Sequence, residues 1–243
     1  MTTKTTTLAL AVSMIAVLLL VDPSPAAAQV ATGPDNYVGV SFGAQPQSRT
    51  VDANATTTIF DEDAEFEAEH RISNGPFFDI SAGHRVTPGL IVGFSLSFFN
   101  SDGTATGTGA IPAPAFVGRP TMIAVEGSDL KRSEQAFHLQ AVWFHPLTQK
   151  IDVAVSVGPS LIHVSQDFVS GAFDEDTQQV SVVADSQGGI GVGFNVGADT
   201  TYMLNSRYGV GLLLRYSWAS VGLDAADVTV GGFQAGVGLR VRF

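Results

Sequence analysis

The 243 residues include no cysteine. That excludes disulfides, thiolate zinc sites and cysteine nucleophiles. Charge is scarce as well: Asp, Glu, Lys and Arg make up 14% of the chain, against roughly a quarter in soluble domains, and mean hydropathy is positive. Basic residues are the scarcer half, 12 Lys and Arg against 23 Asp and Glu, for a formal net charge of −11. An acidic chain of this kind is a poor partner for nucleic acid or other polyanions. Also missing is any run of about 18 apolar residues, the length a transmembrane helix needs. A chain this apolar without such a run can meet lipid only as a closed β-barrel, which also satisfies every backbone group there.

What is present is alternation, clearest in the closing stretch Val230 to Phe243. From Phe233 the odd positions are Phe233, Ala235, Val237, Leu239, Val241 and Phe243; the even ones are Gln234, Gly236, Gly238, Arg240 and Arg242. Period two is that of a β-strand, with one apolar face and one polar or glycine face. The stretch resembles the closing strand of bacterial outer-membrane β-barrels, whose terminal Phe is the assembly signal of that family. The resemblance makes Phe243 the residue read by the barrel assembly machinery.

At the other end, Lys4, the apolar stretch Leu8 to Val21 and the small residues Ala26, Ala27 and Ala28 have the layout of a secretory signal peptide. Cleavage is expected after Ala28, leaving 29–243 as a single domain. Within it the same alternation predicts strands over Asn36 to Ala44, Phe77 to Val86, Leu90 to Asn100, Glu134 to His145, Lys150 to Val164, Gln187 to Met203 and Tyr208 to Ser220, before the closing one. Thr87-Pro88-Gly89, Pro146 to Gln149 and Asn205 to Arg207 read as short turns. Gln45 to Gly75, Ser101 to Ser133 and Ser165 to Asp185, with a shorter segment around Asp224 and Asp227, read as loops.

Short turns strictly alternating with long loops resemble the small eight-stranded OmpA/OmpX-like barrels over the whole of 29–243. The expected fold is therefore all-β: an eight-stranded antiparallel up-and-down transmembrane β-barrel with short periplasmic turns and long extracellular loops. Its place is the outer membrane of a diderm bacterium, among outer-membrane lipids. A hairpin inside a long loop would make ten strands of eight, and the pattern leaves that open. No peptidoglycan-binding module is expected after Phe243.

The glycine faces are assigned to the lumen, because an eight-stranded barrel is filled by its own side chains and long Arg chains need small neighbours. The apolar faces carry Trp143, Tyr202, Tyr216 and Trp218, rings suited to membrane interfaces. The lumen then holds Arg85, Arg215, Arg240 and Arg242 with Asp79, Glu134, Asp152 and Asp199, four charges of each sign that must pair when buried.

The four long segments carry seven, three, five and two acids, 17 of the 23. Asp61-Glu62-Asp63 and Asp174-Glu175-Asp176 are candidate ligands for divalent cations, which prefer clustered carboxylates. His163 and Ser165, with Glu175 and Asp176 downstream, faintly resemble the His-x-Ser layout of outer-membrane lipid A deacylases, but Gln166-Asp167-Phe168 replaces the small residues that follow the Ser there. His70, His84, His138 and His145 have no metal spacing, and no cofactor motif is visible. The expectation is a barrel without catalytic, cofactor or metal sites, acting structurally or through surface interaction by its acidic loops. A small porin or solute channel is the alternative, and a lipid-modifying enzyme the third.

Overall fold

A computed structural model describes residues 34–59, 61–113, 119–174 and 179–243. The leader expected over 1–28 lies outside them. β1 (Asn36–Gln45) is followed by a hairpin, β2 (Arg49–Ile59) and β3 (Glu62–Ile72). Seven strands come after it: β4 (Gly75–Thr87), β5 (Leu90–Ile111), β6 (Thr121–Pro146), β7 (Ile151–Asp174), β8 (Gln179–Met203), β9 (Tyr208–Gly222) and β10 (Asp227–Arg242).

Eight of these, β1 and β4 to β10, form a closed antiparallel ring. The seam runs from Tyr37↔Arg242 to Ala44↔Ala235. At its end the Asn36 N–H donates to the Phe243 carbonyl at 2.9 Å and the Phe243 N–H donates back at 3.1 Å. The backbone of Phe243 is thus held in the ring while its side chain stays 65% exposed on the outer face.

The short turns fall at Pro88-Gly89, 147–150 and 204–207. Gly89 has φ of +83°, a conformation that disfavours any side chain. Thr148 Oγ1 accepts from the Lys150 and Ile151 N–H groups, and Asn205 Oδ1 from those of Arg207 and Tyr208. These local bonds replace ladder bonds where the chain reverses.

At the opposite end the structure departs from expectation, because the segments expected as loops are largely strand. Gln45 to Gly75 contains the β2–β3 hairpin, and β3 pairs with the far arm of β5 from Glu65↔Ala110 to Ile72↔Gly103. Ser101 to Ser133 is the continued pairing of β5 with β6, as far as Ile111↔Thr121. Ser165 to Asp185 is the continued pairing of β7 with β8, up to Asp174↔Gln179. The described residues therefore form ten strands, eight of them in the ring.

The cause is burial. Phe66, Ala68, Ala105, Val125, Leu130 and Phe168 point inward on these arms and gain a shared apolar interior, which offsets weak strand propensity. One device aligns β6 with that interior. A bulge opposite Gly103 to Ala105, with Asp129 at φ of 57°, shifts the alternation so that Leu130 and Val125 both face inward.

Within the ring the faces lie as the alternation requires. Val92, Phe94, Leu96 and Phe98 of β5 are exposed outward, as are Val210, Leu212, Tyr216 and Trp218 of β9. Ser95, Ser97, His138, Asn195, Arg215 and Gln234 are buried inward. An outer face of this composition is stable only against lipid.

Candidate functional site

The lumen is built in layers, ascending from the short-turn end. Lowest is Arg242, 2.6 Å from Asp152 and with its guanidinium 4.9 Å over the Phe144 ring. Next is Arg240, whose Nε lies 3.1 Å from Asp199 Oδ2 and whose Nη2 also bonds that oxygen. A Cβ on Gly211 would stand 2.9 Å from the Arg240 guanidinium, so the glycine there is space for the arginine. Tyr37, Asp79, Ser81, Asp199, Arg215 and Arg240 border a cavity of about 70 Å³ at this level, polar enough to hold a few waters.

Arg215 forms the middle layer. It leaves β9, with its Nη1 2.8 Å from Asp79 Oδ2 on β4, a charge contact with poor hydrogen-bond alignment. It also donates to Ser95 and Ser97 on β5 at 2.9 and 2.8 Å and to Gln234 on β10. In the ring, β9 and β5 are diametrically opposite. Arg215 is therefore a strut across the full lumen.

Beside it His138 Nδ1 lies 2.7 Å from Ser160 Oγ, which accepts a bond from Asn195 Nδ2. Asn195 also caps the carbonyls of Gly158 and Pro159. Pro159 has no N–H for the ladder, and the β6–β7 register is interrupted between Ser160 and Val157. Asn195 donates from the lumen to the β7 carbonyls that this interruption leaves open.

The third layer joins another diametric pair, β6 and β10. Arg132 donates to Glu134 at 2.9 and 2.7 Å, to the Thr229 carbonyl at 2.8 Å, and also to Gln166. Glu134 in turn accepts from the Gly231 N–H at 2.8 Å. Gly231 has φ of +82°, which a β-carbon would oppose. Its carbonyl receives Gln45 Nε2 at 3.0 Å and an Arg49 donor, while Arg49 Nη1 reaches the Thr229 carbonyl at 2.6 Å.

Above this layer the interior is apolar. One cluster gathers Ala53, Ala136, Ile162, Val164, Phe168, Ala219, Val221, Val228 and Val230. A second gathers Ile59, Ala64, Phe66, Ala68, Ala105, Ile111, Val125, Leu130 and Val169. His70 links the hairpin to β7: its Nε2 accepts the Val169 N–H at 3.1 Å, so the ring proton sits on Nδ1, 3.3 Å from the Ala68 carbonyl. Its ring meets Phe168 edge-on at 5.0 Å. Burial holds the His70 pKa below its ordinary value, with the bond to Ala68 opposing.

Of the expected network, Arg215, Arg240 and Arg242 meet Asp79, Asp199 and Asp152. Arg85 does not join them. It sits at the rim, 3.4 Å from Asp35 and bonded to the Pro34 carbonyl. Glu134 takes Arg132, a residue that the loop reading of Ser101 to Ser133 hid. Arg49, His70 and the Gly231 backbone were also missed. For Arg49, His70 and Arg132, period-two spacing against Val51, Ala68 and Leu130 was the available signal.

The acids of β3 lie on its outward face, Asp63, Glu65, Glu67 and Glu69 all exposed. Asp61-Glu62-Asp63 does not converge: Asp61 sits in the turn before β3, and Glu62 and Asp63 point to opposite faces of the strand. Among the described residues no three His, Asp or Glu side chains are placed to hold a metal. Asp174-Glu175-Asp176 falls partly outside those residues, as do the Glu175 and Asp176 considered with His163 and Ser165. Ser165 Oγ lies 3.2 Å from Ser186 Oγ.

An outward apolar belt around a ring of eight, with a polar packed lumen, specifies a membrane barrel. Residues 14–240 match the family described as the outer membrane protein beta-barrel domain. The chain belongs to that family. Its place is accordingly the outer membrane. Among solved structures it is similar to OprG from Pseudomonas aeruginosa, with TM-score 0.50 and 10% identity over 86% of this chain and 96% of that one. It is also similar to Neisserial surface protein A, with TM-score 0.40 and 16% identity over 86% and 97%. Ail, the attachment invasion locus protein of Yersinia pestis, gives TM-score 0.34 and 10% identity over 85% and 99%. Identities this low speak to fold alone. No curated protein sequence matches the chain.

Proposed function

We propose that this family member is a closed, non-enzymatic barrel whose work lies at its cell-exterior face, where an acidic, sheet-built cap is presented to surface partners. The short turns face the periplasm and the long arms face out. One observation carries the reading: two arginine struts, from β9 to β5 and from β6 to β10, cross the lumen at different heights. Two apolar clusters seal it above them. An ion entering would have to break a buried ion pair and then cross hydrocarbon, each step costing several kcal/mol.

The exterior, by contrast, has the exposed carboxylates of β3, with Asp52, Asn54, Thr56 and Thr58 beside them on β2 and Thr104, Thr106 and Thr108 on β5. That surface suits recognition by charge. Purified folded protein in a planar lipid bilayer is expected to give no conductance steps. Stable ohmic steps would overturn the reading in favour of a small porin.

A further inference from the structure

Strand accounting leaves the upper part of β8 open on one side. β7 pairs with β8 along its whole length. On the other side of β8, β9 pairs only from Gly193↔Ala219 to Met203↔Gly209. Further up, β9 runs on to Gly222 in company with β10 alone. The strands part gradually. A Cβ on Gly191 would still lie 2.5 Å from the Ser220 carbonyl, and one on Gly189 2.6 Å from Val221.

From Val182 to Gly188, β8 has no second strand neighbour among the described residues, and Val182 to Ser186 are exposed on both faces. The contact across the gap is Gln187 Oε1 accepting the Ala225 N–H. The hairpin edge, β2, is tied down differently. Its Asn54 N–H donates to Ala225, its Arg49 grips β10, and Val51, Ala53 and Ala55 pack into the apolar clusters.

Exposed edges are commonly guarded by lysine, proline or a bulge, since their unpaired N–H and C=O groups template another strand. Val182-Val183-Ala184-Asp185-Ser186-Gln187-Gly188 has none of these and a single charge, Asp185. The surroundings choose the occupant. From Ile151 to Ser206 the chain contains no Lys or Arg, while Asp185 lies on the edge and Asp224 and Asp227 flank the segment that faces it across the gap. A second copy would bring only further negative charge.

We propose that the β8 edge between Val182 and Gly188 accepts an extended, lysine- or arginine-bearing segment of another protein as an added strand. Main-chain bonds supply the pairing and the acidic surroundings select its side chains. The inference rests on reading the outer face as an interaction surface.

The probe is a peptide of alternating valine and lysine, added to the full chain folded in detergent micelles. Hydrogen exchange at the Val182 to Gly188 amides should slow by about tenfold or more at saturation. The same peptide N-methylated at alternate residues keeps its charge but loses its donors, and should give no protection. Asp185→Lys, an exposed change, should weaken binding by about tenfold with gel mobility unaltered.

Three results would overturn the proposal: equal binding of the methylated peptide, no protection by the parent peptide, or undiminished binding to Asp185→Lys. A fourth is a concentration-dependent dimer that Asp185→Lys dissolves, which would make a second copy the occupant. Failure of the peptide with a silent bilayer sinks this inference alone. Conductance sinks the closed-barrel reading whatever the peptide does.

Discussion

Between Leu90 and Phe98, β5 points Val92, Phe94, Leu96 and Phe98 outward and Ser95 and Ser97 inward; between Ser101 and Ile111 it points Thr104, Thr106 and Thr108 outward and Ala105 and Ile111 inward. The alternation does not break, yet its sense is reversed. Below, the outside solvent is lipid, so apolar side chains face it and the polar ones must find partners within. Above, the outside solvent is water, so the hydroxyls and carboxylates face out and the apolar side chains collapse together. Arg132, Glu134 and Gln166 lie where the two regimes meet. The comparison teaches that the interior of a strand ring complements whatever surrounds it, level by level.

Breaking the lower regime should have the largest effect. Arg215→Leu leaves Asp79 buried without its charge partner, a change of the kind that costs about 3–5 kcal/mol. The ordering matters as much as the size. The side chains of Arg215 and Asp79 are 1% and 3% exposed, those of Arg240 and Asp199 6% and 21%. Urea midpoints in detergent should therefore fall further for Arg215→Leu than for Arg240→Leu. The reverse order would mean that the diametric strut does not hold the ring.

The upper regime should break differently. Phe66 packs into the second apolar cluster with its ring against Gly171. Phe66→Ala should cost about 3–5 kcal/mol, but only within the cap. Protease should then cut the β2–β3 hairpin while the ring keeps its heat-modifiable gel mobility. Loss of that mobility would show cap and ring to be one cooperative unit.

Phe243 sharpens the comparison from the seam. Its ring is mostly lipid-exposed and worth at most about 1.5–3 kcal/mol by transfer, whereas its backbone closes β1 onto β10. Deleting Phe243 should reduce insertion by cellular assembly machinery far more than it lowers the urea midpoint of refolded protein. Normal insertion would remove its assignment as the assembly signal.

The smallest effect is expected from pH, and it should be confined to the cap. His70 is neutral with its pKa held low, so the unfolded cap binds the extra proton more readily. The stability this contributes is full above the ordinary histidine value of about 6.5 and is lost as pH falls from there through the lowered folded value. A protonated ring would also turn a donor toward the Val169 N–H. Asp167 on β7, Lys131 and Arg132 on β6, Asp102 on β5 and Arg71 on β3 itself are the charged groups around it. The protection factor of the Val169 amide should fall on acidification in the parent and not in His70→Gln. An equal fall in both would assign the effect to those neighbours.

The same inversion explains what was legible in the sequence. Alternation over Phe233 to Phe243, and the turn at Thr87 to Gly89, state the ring directly, because a lipid-facing strand needs large apolar residues at every second position. Arg215, Arg240 and Arg242 stand out against glycine neighbours for the same reason. The cap does not announce itself so loudly. Several of its inward positions are small, Ala64, Ala68, Ala105 and Gly109, and Glu stands at outward ones, so local preference for strand is weak there and pairing decides. On β3 the period was visible, but Glu65, Glu67 and Glu69 drew the reading toward charge and away from Phe66 and Ala68 between them. On β6 the bulge at Asp129 breaks the period, and with it went Arg132.

Arg49 and Gln45 grip the carbonyls of Thr229 and Gly231, 180 and 186 residues further along the chain. Those carbonyls sit on β10, the strand that closes the ring onto β1. Everything β2 and β3 need from one another is present early, but the hold that seats their hairpin over the lumen exists only after β10 has met β1. The order of events is therefore written into the connectivity: the ring must shut before its lid can latch, and contacts this remote in sequence are slow to find.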